Sequence, residues 1–235
     1  MKIAIIGKGR VATHLSQALT CAGHDVTECG GKQRLHDVPK DAEIIVIAIK
    51  DDAISAVAEE FTDRDCLIIH TSGSVSIDTL PCQHRGVLYP MQTFSMEREL
   101  NFRKIPLFLE TARPEDMPQL VKMASSISDV WMPMNGEKRR VMHLAAVLCC
   151  NFTNHLYDLA HDLMEKENIP FEVLFPLIDE TCAKIHTLTP HEAQTGPAVR
   201  WDENVISRHM EMLKNPVHRE IYHLMSESIK ASQSK

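Results

Sequence analysis

Branched apolar runs alternate with helical stripes through the first half of the chain, and from about residue 135 only helical stripes remain. Ile3, Ala4, Ile5 and Ile6, led by Lys2, read as a short strand buried on both faces. Residues 43–49 (EIIVIAI) and 66–69 (CLII) repeat that pattern, as strands of a parallel sheet do. Val11, Leu15, Ala18 and Leu19 share one helical face, closed by Gly23. A weaker strand is expected over 24–29. Asp51 and Asp52 are expected to cap a helix carrying Ile54, Val57, Ala58 and Phe61. Further strands are expected from residue 87, over 105–110 and over 130–132, with a helix over 114–128 before the last. Pro133, Met134, Asn135 and Gly136 then break the alternation.

Residues 137–168 contain no proline or glycine, and Val141, Leu144, Ala145, Leu148, Phe152, Leu156, Leu159 and Leu163 form one apolar stripe. A single helix of that extent would be roughly 45 Å long. That exceeds what a small domain needs and implies burial against other helices, a second subunit's among them. Beside the stripe, His143, Val147, Asn151, Asn154 and Asp158 fall in one sector, which suits a cleft wall. A second helix is expected over 171–185, bent or begun near Pro176. Asp202 is expected to cap a third, and Asn215-Pro216 to start the last.

The first strand runs directly into Gly7-Lys8-Gly9-Arg10-Val11-Ala12, and the first helix follows. Strand, G-x-G-x-x-A turn and helix in that order form a dinucleotide-binding fingerprint. Gly7 permits the turn, Gly9 admits a pyrophosphate to the backbone, and Ala12 lets helix and strand pack closely. The unpaired N–H groups of the helix start face the phosphates. The predicted fold is therefore an α/β Rossmann domain with a parallel sheet over 1–134, followed by an all-α domain over 135–235. In such folds the end of the second strand separates NAD from NADP. Glu28 comes early for a ribose ligand, and Gly30-Gly31-Lys32-Gln33-Arg34 follows, so Lys32 and Arg34 favour NADP while NAD stays open. Ile49, His70, Thr71 and Ser72 are expected at the carboxyl rim of the sheet, beside the nicotinamide. Ser72 and Ser74 also fit ordinary turn chemistry.

A net charge of −7 without a basic block disfavours nucleic acid. Seven scattered cysteines with no CxxC pair argue against a disulfide framework or a zinc knuckle and fit a reducing cytoplasm. Neither a signal peptide nor a membrane span is expected, since Gly7 interrupts the first apolar run and no run approaches the ~20 residues a bilayer needs. Thirteen histidines show no HExxH spacing, and no metal site is expected.

Four segments together carry a resemblance: His70-Thr71-Ser72-Gly73-Ser74; Tyr89-Pro90-Met91-Gln92-Thr93-Phe94-Ser95; His143 and Ala146 with Asn151-Phe152; and Thr195-Gly196-Pro197 with Arg200 and Asp202. The chain resembles a bacterial group of Rossmann-like proteins whose second domain is all-helical and of unknown function. That group is similar in architecture to reductases with a 6-phosphogluconate-dehydrogenase-type helical domain, including pyrroline-carboxylate, ketopantoate and 3-hydroxyacid enzymes. The resemblance implies a nicotinamide oxidoreductase, dimeric through its helical domain. Relatives tend to have proline where this chain has Lys50 and histidine where it has Tyr89. The Lys-x-x-x-Asn pair of hydroxyacid dehydrogenases is absent.

These readings converge on an NAD(P)-dependent reductase of a small oxo acid, ketopantoate-like, or of an imine. His143 would be the acid/base group, because imidazole titrates near neutrality. Asn151 would polarise or position the substrate. Tyr89, Asn154 and Ser72 would line its pocket, and Arg200 would clamp a carboxylate in bidentate fashion unless it pairs with Asp202. The alternatives are a non-catalytic dinucleotide sensor or partner-binding module, and a deazaflavin-dependent reductase on the same fold.

Overall fold

The computed structural model describes residues 1–30 and 32–233; the side chains of Lys32, Gln33 and Arg34 lie outside what is described. Two compact units result, Met1–Phe152 and Thr153–Lys235.

The first unit is built from β1 (Lys2–Ile6), α1 (Arg10–Cys21), β2 (Asp25–Cys29), β3 (Ile44–Ile47), α2 (Ile54–Ala58), β4 (Leu67–His70), β5 (Arg85–Pro90), β6 (Leu107–Thr111), α3 (Met117–Ile127), β7 (Trp131–Pro133) and α4 (Gly136–Ala146). The seven strands form one sheet in the order β2-β1-β3-β4-β5-β6-β7. The period-2 alternation of the buried strands divides the core cleanly. Ile3, Ile5, Ile44, Val46, Leu67 and Ile69 pack on one face with Leu15 and Leu19 of α1 and Leu120, Met123 and Ile127 of α3. Ala4, Ile6, Ile45, Ile47 and Ile68 pack on the other with Ile54, Val57 and Ala58 of α2. Apolar residues at every position of β3 and at Leu67, Ile68 and Ile69 of β4 are thus what a sheet covered on both sides requires.

The order reverses at β1, with β2 on one side and β3 on the other, so a topological switch point opens beyond the carboxyl ends of β1 and β3. The expected all-parallel sheet holds through β5. β6 then runs antiparallel to β5, pairing Tyr89 with Phe108 and Val87 with Glu110, while β7 is parallel to β6. The connection from β5 to β6 contains only a 3-10 turn at Phe102–Lys104 in place of the crossover helix that parallel neighbours use.

The long helix expected over 137–168 is interrupted. After α4 the backbone makes a π turn at Val147–Phe152, which adds a residue to the turn and shifts the phase of everything downstream. The apolar stripe is also exposed: Val141 by 69%, Leu144 by 59%, Leu148 by 55% and Phe152 by 57%. Asp51 and Asp52 are corrected as well. They lie in the first turn of a 3-10 segment whose N-cap is Lys50, and neither caps it.

The second unit consists of α5 (Thr153–Lys166), α6 (Phe175–Lys184), α7 (Pro197–Arg200), α8 (Glu203–Met212) and α9 (Pro216–Gln233). Asp202 caps α8 by accepting from the Val205 N–H at 3.2 Å, and Asn215 accepts from the Val217 N–H at 2.9 Å as α9 begins. Among the described residues no helix is long and apolar enough to cross a membrane.

Candidate functional site

The turn after β1 is shaped by close approach. Gly7 has φ +143°, and a Cβ there would stand 2.2 Å from the Ala48 carbonyl oxygen, so only glycine lets the ends of β1 and β3 meet. Gly7 N–H donates to the Cys29 carbonyl at 3.1 Å, and Ala48 N–H to that of Ile6 at 2.8 Å, which ties three strand ends together. Gly9 is the N-cap of α1. No side chain caps it, no acidic residue lies in the first turn, and a Cβ on Gly9 would meet nothing within 4 Å. A twelve-residue helix thus presents its N–H groups and positive dipole end to open space, which fits the phosphates of a dinucleotide. Ala12 is buried, and a Cβ on Gly7 would come within 3.2 Å of its methyl group. The Lys8 side chain lies across Gly30, at the end of β2.

From this turn a cleft of about 640 Å³ runs along the carboxyl rim of the sheet, wholly within the first unit. Arg10, Val11, Ile49, Thr71, Ser72, Tyr89, His143 and Asn151 all line it, so eight of the expected site residues meet there. Asp51, Gly73, Ser74, Met91, Met142, Cys149 and Cys150 join them. A larger groove, about 790 Å³, is lined by His14, Cys21, Arg98 and Phe102 among others, none on the loops after β1, β3 or β4.

His70 is not on the cleft wall. It is fully buried at the end of β4, and its Nδ1 accepts the Ser72 N–H at 3.1 Å, so the neutral ring carries its proton on Nε2. Burial, and after it the nearby Arg139 charge, pushes its pKa down to about 4. Its part is to hold the rim turn. Ser72 Oγ continues that turn, accepting from the N–H groups of Ser74 and Val75 at 3.2 and 3.1 Å, and Ser74 Oγ donates to Asp51.

Within this lining, Tyr89 Oη lies 3.0 Å from His143 Nδ1, with the rings edge-on at 5.9 Å between centroids. Tyr89 belongs to a small apolar cluster with Ile77, Val87 and Phe108, against which Met142 of α4 packs. Burial raises the Tyr89 pKa, and the neighbouring Cys150 adds to it. One turn before His143, Arg139 is wholly buried. It is ion-paired with Glu110 of β6 and donates to the Val75 carbonyl at 2.7 Å. Glu110 also accepts from the Gly136 N–H at 2.9 Å, as an anion at the start of α4. α4 is therefore clamped to the sheet and to the rim turn at once, which fixes the height of His143.

Cys149 and Cys150, in the π turn, have sulfurs 3.9 Å apart. Burial and Cys149 raise the Cys150 pKa. Asn154 and Arg200 belong to the second unit, where both are exposed, and Asp202 serves its own helix cap. On exposed faces of α5, ligand atoms of His161, Asp162 and Glu165 lie within 4.8 Å of one another. The side chain of Lys32, expected at the cofactor, lies outside the described residues.

Sequence reasoning missed Gly73, Glu110 and Arg139. Gly73 lies inside one of the segments that carried the resemblance. The other two left no local signal, since a glutamate in a strand and an arginine in a helix are ordinary.

A Rossmann domain with a glycine-lined helix start and a rim cleft, followed in the chain by a helical unit, defines the class. Residues 105–229 match the family described as a domain of unknown function, DUF2520, and the chain belongs to that family. It is similar over 98% of both chains, at 38% identity and a TM-score of 0.91, to a Bacteroides fragilis protein described as a proposed NADP oxidoreductase. Two more distant structures share the fold. A Streptomyces aurantiacus imine reductase aligns at 12% identity and TM-score 0.70, covering 99% of this chain and 98% of the other. Plasmodium falciparum pyrroline carboxylate reductase, solved with NADP bound, aligns at 11% and 0.62 with the same coverage. No curated protein matches the chain.

Proposed function

We propose that the protein is a nicotinamide-dependent reductase of a small C=O or C=N compound, an oxo acid or an imine, with NADP preferred to NAD. One observation carries the reading: the first residues of a bare helix start and a hydrogen-bonded Tyr89–His143 pair line one cleft. Gly7, Gly9, Arg10 and Val11 would hold the pyrophosphate, with Ile49, Thr71 and Ser72 toward the nicotinamide. The bound cofactor would supply the hydride. The protein's own task is to orient the substrate through Asn151, exclude water and deliver a proton to the heteroatom. Asn154 and Arg200, both in the second unit, are proposed as further substrate-binding residues.

The preference for NADP rests on the end of β2. Glu28, next to last in β2, accepts from Ser16 Oγ on α1 and is occupied there. Lys8 lies over Gly30, and Lys32 and Arg34 follow in sequence, which suits a 2′-phosphate. The Bacteroides relative's description and the NADP-bound Plasmodium structure support the same cofactor. The exposed stripe of Val141, Leu144, Leu148 and Phe152 is too apolar to stay in water, and a second copy of this chain is the occupant we assign to it. Cysteine usage fits a reducing compartment, so the cytoplasm is the expected location.

Fluorescence titration with NADPH and NADH, followed by absorbance at the reduced-nicotinamide band with oxo acids and cyclic imines, tests the reading. Binding of NADPH and its oxidation by one of these substrates is expected. Tight binding with no turnover makes the protein a dinucleotide sensor, and no binding removes the cofactor altogether. Leu144→Glu should convert a dimer to a monomer in sedimentation velocity; a monomeric wild-type protein refutes the self-association.

A further inference from the structure

We propose that Tyr89 is the group that hands the proton to the substrate, and that His143 is the residue that positions and recharges it. The proposal rests on the reductase reading and assigns the work within that site.

Four observations carry it. Among the described residues Tyr89 Oη makes two polar contacts: His143 Nδ1 at 3.0 Å and the Met91 sulfur at 3.7 Å. A thioether is a weak acceptor. If Nδ1–H donates into Oη, the phenol proton is directed at a partner that a carbonyl oxygen or imine nitrogen displaces easily. Second, Tyr89, Met91 and His143 all line the same cleft, the space a substrate would enter. Third, Gly73 is buried between them without a positive φ, so backbone conformation does not call for glycine there. A Cβ would stand 2.7 Å from His143 Nδ1 and 2.8 Å from Tyr89 Cζ; the missing side chain is the room the pair occupies. Fourth, Arg139 locks α4 one turn earlier, so the pair does not depend on a mobile helix.

The step balances. As the heteroatom of the reduced double bond gains the π electron pair, it forms a bond to the Tyr89 proton, and the O–H electrons remain on Oη as phenolate. The phenolate takes the proton from His143 Nδ1 while Nε2 takes one from water. The ring ends neutral in its other tautomer, and hydroxide is left to the solvent. Tyr89 stays protonated across the neutral range, because burial holds its pKa above the ordinary value. The other ionisable groups on the cleft wall are Arg10, Asp51, Cys149 and Cys150.

The test uses the full-length protein in three forms beside wild type: Tyr89→Phe, His143→Ala and Gly73→Ala. With the best substrate, Tyr89→Phe should lower kcat by about 10²- to 10³-fold, within the range of general acid catalysis, with NADPH affinity unchanged. His143→Ala should lose less and recover in part with added imidazole. Without cofactor or substrate, the ¹³Cζ resonance of Tyr89, assigned by its loss in Tyr89→Phe, should shift in His143→Ala and in Gly73→Ala. Turnover surviving Tyr89→Phe within threefold, or a Tyr89 resonance indifferent to His143→Ala, overturns the proposal alone. Failure of the wild-type protein to reduce any carbonyl or imine overturns the reductase reading, and this proposal with it.

Discussion

Arg139→Ala is the sharpest probe of how the site is held. The guanidinium has no exposed surface and Glu110 has 17%. Truncation leaves a nearly buried carboxylate without its cation and the Val75 carbonyl without the donor now at 2.7 Å. Orphaning one member of a buried pair costs about 3–5 kcal/mol. For a chain of this size each kcal/mol lowers the melting temperature by roughly 2–4 °C, so a fall of roughly 6–20 °C is expected. Thermal unfolding followed by circular dichroism measures that fall, and urea unfolding measures the free energy, with the midpoint falling at unchanged slope. The molecule supplies a control: Arg103 and Asp129 pair at the surface with 52% and 62% exposure, and Arg103→Ala should cost no more than about 1 kcal/mol. The double change Arg139→Met with Glu110→Leu should recover most of the loss, because the penalty comes from the stranded charge rather than the pair's net worth. An Arg139→Ala variant no less stable than Arg103→Ala, or a double variant as unstable as the single, refutes the reasoning.

Other outcomes follow from the same geometry. Gly9→Val should fold, because a Cβ there meets nothing, yet weaken NADPH binding at least tenfold by fluorescence titration; undiminished binding places the phosphates elsewhere. His70 is held neutral with a folded pKa near 4, below its unfolded value of 6.5. Between these values the unfolded chain binds the extra proton, so this contribution to stability is complete above pH 6.5 and is lost as pH falls toward 4, at no more than about 1.4 kcal/mol per unit. His70→Asn should flatten that slope in urea titrations between pH 4.5 and 6.5, and an unchanged slope refutes the assignment. Iodoacetamide should label the exposed Cys149, Cys150 and Cys182 but spare Cys82, whose buried thiol is pushed up to about 11. Bound NADPH and substrate should slow labelling at Cys149 and Cys150 and leave Cys182 unaffected, as read by peptide mass spectrometry.

The parts of the fold that local chemistry decides could be read without coordinates. Runs such as 43–49, short and rich in β-branched residues, suit strands covered on both faces, and Gly7 and Gly9 mark a turn whose function depends on backbone shape. Strand direction is a different kind of property. β6 reverses because nothing between residues 91 and 106 builds a crossover helix, so its direction is marked by a missing pattern rather than a present one. The π turn was hidden for a related reason. A stripe at a 3.6-residue period is blind to one extra residue in a turn, and its apolar members are equally consistent with a core or with an open face.

The site divides along the same line. His143, Asn151 and the rim serines could be named because each lies in a recognisable local context, but what they do is settled by partners distant in sequence. Tyr89 is 54 residues from His143, and Glu110 is 29 from Arg139. His70 shows the consequence: its position at a strand end suggested contact with a ligand, whereas burial and the Ser72 N–H make it a support for the turn. Gly73 runs the other way. In sequence it is one glycine in a serine-rich turn, and in space it is the reason two rings can meet. If relatives carry histidine at position 89, as the resemblance implies, a second imidazole would stand against the same glycine. The demand for room at 73 would then persist while the identity of the proton donor changed. Tyr89→His should accordingly retain part of the activity that Tyr89→Phe loses, with the optimum moved toward lower pH, because imidazole gives up its proton several units below a phenol. A histidine variant as inactive as the phenylalanine variant would mean that position 89 serves shape rather than proton transfer.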